Sequence, residues 1–227
     1  MTTRRYALVG GLLYLVTFAA SIPALPLLSA VLDGPGFVAG SGAVTPVLFG
    51  IVLDLINAAA CIGTAVALYP VLRRSAPAGA VGFVVSRTME AAIIVVGVLA
   101  LLTVVSLRID QTAGDALPVV ATALVGLRDW TFLLGPGLMP AINASLLATA
   151  LFRTRTIPRG IAILGLIGAP LQAASVLATL FGVNTQISAW SAVAVIPIFL
   201  WELLLGLWLT FRGVNDRAAE PRLPVAA

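Results

Sequence analysis

The sequence predicts an all-α, polytopic membrane helix bundle with six transmembrane helices. Three observations carry that reading. The chain is 60% hydrophobic and 10% charged, with a mean hydropathy of +1.11, where a soluble domain carries about 25% charged residues. Its apolar residues gather into runs long enough to cross a hydrocarbon core of about 30 Å. Its 13 basic residues are all Arg, and most fall in short segments between those runs, as cytoplasmic loops require. The pI near 10.2 therefore reflects membrane anchoring, and no nucleic-acid partner is expected.

The first span covers residues 6–27, preceded by Arg4-Arg5 and expected to be kinked or ended by Pro23 and Pro26. TTRRYALVGG superficially resembles a twin-arginine export signal, but no soluble domain follows that would need export, so the span is read as retained. DGPGFVAGSGAVT is an external loop. The second span, residues 46–72, carries Ala59 and Gly63 four apart, a spacing that lets a neighbouring helix come close. Arg73-Arg74 and SAPAGA form a short turn into the third span, residues 80–107, and DQTAGDA is a polar loop.

Residues 117–152 would make a straight helix of about 54 Å, too long for one crossing. Gly135-Pro136-Gly137 and Pro140 interrupt them. The preferred division is a short outer interfacial helix at 117–127, before a fourth span at 129–152. The glycine–proline break either exposes backbone carbonyls to a cavity or is an ordinary kink. Residues 158–183 and 188–211 form the fifth and sixth spans, and residues 214–227 are read as a disordered cytoplasmic tail after a 1–213 transmembrane domain. This topology puts Arg4, Arg5, Arg73, Arg74, Arg153, Arg155, Arg159, Arg212, Arg217 and Arg222 on one side. The positive-inside rule makes that side, with both termini, cytoplasmic in a plasma membrane.

The chemistry-bearing residues are few. Histidine is absent and Cys61 is the single cysteine, so an intramolecular disulfide, a Cys/His zinc site, His ligation of haem and His base catalysis are all excluded. No cofactor or metal is expected, and Cys61, within an apolar helix, is read as a core residue. Phosphate loops, Ser-His-Asp sets and dinucleotide fingerprints do not occur. What stands out is polar residues inside apolar spans. In VGFVVSRTMEAAIIVVG, Arg87 and Glu90 share one helix face. Other spans supply Asp54, Asn57, Arg128, Asp129, Asn143 and Glu202. Helix rise places Glu90 about 15 Å in from one side and Glu202 about 21 Å from the other, within two turns in height. Arg128 and Asp129 fall at the outer mouth, with Asp54 the nearest carboxylate.

Ionised groups at such depth are costly and need partners, which makes them a functional hypothesis by default. These eight residues are the candidate binding set, with Glu90 and Glu202 as candidate acids and Arg87 as the group that would hold an anion. Three readings stay open: binding or transport of a small, partly lipophilic molecule; a cofactor-free membrane enzyme using a buried Glu as acid, of isomerase or cyclase type; and a structural helper subunit. The sequence sets no oligomeric state.

The segments GLLYLVTFAASIP, SRTMEAAIIVVG, LRDWTFLLGPGLMPAINASLL, IPRGIAILGLIGAPL and LWELLLGLWL resemble the bacterial domain-of-unknown-function family numbered 4386. RDWTFLLGPG is the most specific of them. The resemblance implies a multi-span bacterial membrane protein, of actinobacterial type by composition, and matches the family's polar positions to Arg87, Glu90, Arg128, Asp129, Gly135, Pro136, Gly137 and Asn143. It implies no activity.

Overall fold

The computed structural model describes residues 2–33, 36–110 and 114–215. Residues 216–227, with Arg217 and Arg222, lie outside the described residues, and so does the expected disordered tail beyond its first two residues; of those, Val214 packs against the core and Asn215 N–H donates to the Thr156 carbonyl at 3.0 Å. In order come α1 (Thr3–Leu32), α2 (Val44–Leu72), α3 (Pro77–Asp110), a 3-10 turn (Gly114–Ala116), α4 (Leu117–Phe132), a π-helical segment (Leu133–Leu138), α5 (Met139–Thr154), α6 (Arg159–Leu180) and α7 (Ala189–Phe211). Among the described residues, six helices are long and apolar enough to cross a membrane, and Gly114–Thr154 counts as one of them. The protein is an all-α polytopic bundle. Lipid offers no hydrogen bonds to the backbone, so an unbroken run of helical pairing is the conformation these apolar stretches can adopt there.

Two expectations about helix ends are corrected. Pro23 and Pro26 do not end the first helix, which continues to Leu32. Each leaves the carbonyl four residues back, that of Ala19 or Ile22, without its helical donor, a loss that helices in lipid absorb locally. The short helix expected at 117–127 is the first part of α4, which runs unbroken to Phe132. The interruption falls at the π segment, on the expected Gly135-Pro136-Gly137 break.

The helices pack as a ring: α1 on α2, α2 on α3, α3 on α4 and α5, α5 on α6, α6 on α7, and α7 back on α1. One apolar core, around Tyr14, Leu68, Phe83, Leu147, Trp201 and Leu205, fills one end. A second, around Leu28, Ile51, Leu101 and Val104, fills the other, where Phe37 and Val38 of the loop fold in as a plug. Large apolar side chains such as Phe49, Val66, Val85, Leu99 and Ile196 face outward. The molecule is apolar outside and polar at mid-height inside, as a lipid-embedded bundle must be.

The ring closes where α1 meets α7. A Cβ on Gly11 would stand 2.6 Å from the Thr210 backbone nitrogen and 2.7 Å from the Gly206 carbonyl oxygen. The two backbones are therefore in direct contact, the close approach that small residues permit in membranes. Gly63 of the expected α2 pair faces α1, at the end of the Leu13 side chain, whereas Ala59 is exposed. Arg4 donates to the carbonyls of Leu209, Thr210 and Phe211, capping the unsatisfied end of α7 with a cation at the negative end of its dipole. At the opposite end Arg108 donates to the carbonyls of Gly40, Ser41 and Gly42 and lies over the Phe37 ring at 4.3 Å.

Candidate functional site

Between the two apolar cores lies a polar layer built by α1, α2, α3, α4, α5 and α7. Arg87 and Glu90 are three apart on α3, so they face the same way. Arg87 Nη1 pairs with Glu90 Oε2 at 2.9 Å and lies 3.8 Å from Glu202 Oε1 of α7. Asn143 of α5 donates from Nδ2 to Glu90 Oε2 at 2.6 Å, and Ser86 Oγ donates to Asn143 Oδ1. Tyr14 of α1 places its ring 5.0 Å from the Arg87 guanidinium carbon, within cation–π range. Arg87 is only 2% exposed and the Glu202 side chain 14%. Cys61, buried on α2 as expected, borders the same cluster.

This cluster carries one cation for two carboxylates. Its guanidinium is also only partly used: Nε and Nη2 of Arg87 are buried without a hydrogen-bond partner. A buried charge of this kind normally has its donors satisfied. The arrangement can therefore offer donors to an acceptor group, and Glu202, loosely held at 3.8 Å, can receive a donor.

Two helical turns away is a separate ion pair. Arg128 Nη2 meets Asp54 Oδ2 at 2.9 Å, and the guanidinium lies 5.1 Å from the Phe132 ring. Room for it comes from Gly97, where a Cβ would stand 2.9 Å from Arg128 Cδ and 2.5 Å from Thr131 Oγ1. Asp54 and Cys61 are seven residues apart on α2, as Glu90 and Gly97 are on α3, so the two clusters are separated by about 10 Å along the bundle.

The eight expected residues thus divide. Arg87, Glu90, Asn143 and Glu202 come together. Asp54 and Arg128 pair at the second level. Asn57 is buried on α2, three residues from Asp54 and four from Cys61. Asp129 joins neither cluster: it is exposed and lines a different cavity of about 230 Å³ with Val31, Phe37, Val104 and Gly126. Successive helical residues are about 100° apart, so Arg128 turning inward turns Asp129 away. Trp201, beside Glu202 in sequence, is buried against Gly165 instead. Tyr14 and Gln172 were not singled out from the sequence. Both are polar-tipped residues inside apolar spans, which is the signal that marks them. Among the described residues, no group of three or more Cys, Asp or Glu side chains is arranged to hold a metal ion.

Asn143 is the neutral link in the first cluster. Asn143→Leu keeps the branched shape of the side chain but removes the donor to Glu90 and the acceptor for Ser86. Membrane hydrogen bonds average about 0.6 kcal/mol, whereas bonds to a charged group reach about 1.5–3 kcal/mol. The higher range is expected here because the Glu90 carboxylate stays buried after the loss. Thermal unfolding in detergent measures it, and a melting temperature unchanged from wild type would place the bond in the lower class.

Comparison with known proteins gives a family match. The family model described as "Domain of unknown function (DUF4386)" covers residues 9–213. No curated protein and no solved structure matches the chain.

Proposed function

We propose, for a chain that belongs to the DUF4386 family, that Arg87, Glu90, Asn143 and Glu202 form the binding site of a small, partly lipophilic molecule that the protein binds or carries across the membrane. The observation that carries this reading is the unused pair of Arg87 donors beside an excess carboxylate in the bundle interior. A purely structural network would close on itself, with each donor paired and charges balanced. This one leaves Arg87 Nε and Nη2 without an acceptor and holds Glu202 only at 3.8 Å from a cation already paired with Glu90. A ligand carrying an acceptor and a neighbouring N–H or O–H on an apolar body would supply both.

The orientation follows from charge. Arg4, Arg212 and the turn after α5, with Arg155, come together at one end: Arg4 binds the end of α7, and Asn215 N–H donates to the Thr156 carbonyl. Arg108 lies at the other end. The arginine-rich end is read as cytoplasmic, in a plasma membrane.

The test is native mass spectrometry of the protein extracted in its own lipids. A small molecule is expected to copurify and to be lost from Glu202→Gln and from Arg87→Lys, which cannot present two donors in one plane. Both variants should melt within about 3 °C of wild type, since each keeps its hydrogen-bonding atoms or charge. Unchanged retention in both variants would overturn the reading. The recovered molecule then serves in a proteoliposome counterflow assay, which separates carriage from binding.

A further inference from the structure

We propose that the cavity between the π segment, α6 and the start of α7 is a second binding site, for an uncharged amphiphile that donates a hydrogen bond to Gln172 Oε1. The cavity measures about 290 Å³, near the roughly 300 Å³ at which small-molecule sites begin. It is distinct from the Arg87 cluster, and none of that cluster's residues lines it.

The argument rests on Gln172. Its side chain lines the cavity and the residue is 8% exposed. Nε2 donates to the Gly137 carbonyl at 3.0 Å. That bond fixes the amide's orientation, because a carbonyl oxygen cannot donate to the other end of the amide. Oε1 is left buried with no partner. A buried acceptor without a donor is uncommon and calls for an explanation. The surrounding hydroxyls do not supply one. Thr179 donates to Asn184 Oδ1, Asn184 and Ser175 to Ser191 Oγ, and Ser191 to the Thr185 carbonyl, so these hydroxyls are directed elsewhere along the rim. The missing donor therefore comes from what occupies the cavity.

The π segment makes the space. Pro136 has no N–H for the Phe132 carbonyl and Pro140 none for the Pro136 carbonyl, so α-helical pairing fails over Leu133–Leu138. Wide turns of this kind recur at functional sites. Pro136 and Gly137 line the cavity, so the expected break does face a cavity.

The lining also sets the ligand's class. Phe132, Leu133, Val176 and Val195 supply an apolar wall, and no Arg, Asp or Glu side chain is among the lining residues. A phosphate or ammonium would lose its hydration there without a counter-charge. The rim loop after α6 and the start of α7 expose Phe181, Val183, Ile187 and Trp190, with Ile187 98% exposed. Trp190 belongs at the headgroup level of a bilayer, and the exposed apolar side chains beside it set the rim against lipid, so the occupant enters from lipid rather than from water.

The test uses the full chain in nanodiscs with a monoacylglycerol bearing a diazirine on its acyl chain, against a lysophosphatidic acid with the same chain. The monoacylglycerol is expected to label peptides between residues 132 and 195. Gln172→Leu should lower that labelling at least tenfold, and Ala192→Phe, which fills the cavity from an exposed position, should abolish it. Unlabelled monoacylglycerol should compete, and its di-O-methyl ether, which has no donor, should not. Arg87→Lys should leave labelling intact, so this site stands or falls apart from the Arg87 reading. Equal labelling by the phosphate-bearing probe, undiminished labelling of Ala192→Phe, or competition by the dimethyl ether would each overturn the proposal. Should Gln172→Leu fail to fold, the Ala192→Phe and ether comparisons decide alone.

Discussion

Arg87→Met is expected to cost the folded bundle about 3–5 kcal/mol, the range for removing one partner of a buried charge pair. The methionine fills much of the same volume, so packing loss is small. The loss is electrostatic: Glu90 and Glu202 remain facing each other's surroundings with the cation gone. Asn143 still donates to Glu90, but a neutral amide does not replace the ion pair. The matching expectation is recovery. Adding Glu90→Gln and Glu202→Gln to Arg87→Met removes the uncompensated charges, and most of the lost stability should return, since neutral replacements of buried ionic clusters are commonly tolerated. Reversible unfolding in mixed micelles measures both steps. The triple variant should fold and still lose the copurifying molecule. A stable triple variant that retains its ligand would make the cluster structural only.

The recovered fold shows which parts of this molecule are written locally. Six apolar runs bounded by Arg, Gly and Pro read directly as helices, because in lipid each must satisfy its own backbone. The Arg87–Glu90 pairing follows from a three-residue spacing, and Arg128–Asp54 from helix rise and height, both simple consequences of helical geometry. Rotation about the helix axis is different, because neighbouring helices set it. Arg128 and Asp129 could not both face inward, and the close approach of α4 at Gly97 decides for Arg128. The expected division near Leu127 came from a length argument. The chain keeps α4, the π segment and α5 as one path across the bundle, and such a path exceeds the hydrocarbon thickness, which tilting or protrusion accommodates. Gln172 is a polar residue in an apolar span just as Asn57 and Asn143 are, but what distinguishes it, a buried orphan acceptor opposite Gly137, is set by helix packing and not by its own span.

Gly11→Leu is expected to abolish the ring closure that holds the Arg87 cluster together. At Gly11 the obstacle to any side chain is backbone: Thr210 nitrogen at 2.6 Å and the Gly206 carbonyl oxygen at 2.7 Å from a Cβ. Backbone atoms of a helix cannot rotate aside, so α1 and α7 must separate. Gly11→Ala should therefore cost about 1–3 kcal/mol, the usual overpacking range, and Gly11→Leu more. Gly63→Ala is the control, because there the obstacle is the end of the flexible Leu13 side chain, and a loss under about 1 kcal/mol is expected by the same rule. The consequence reaches the site because α7 carries Glu202 and α1 carries Tyr14, and both face Arg87 from across this seam. Hydrophobic pressure between helices is absent in lipid, so packing of small residues must supply the closure. Gly11→Ala should thus weaken retention of the copurifying molecule by more than Gly63→Ala does, even when both proteins are folded. Melting curves and native mass spectrometry on the three variants test the order. Equal behaviour of Gly11→Ala and Gly63→Ala would mean that the α1–α7 seam does not set the position of Glu202.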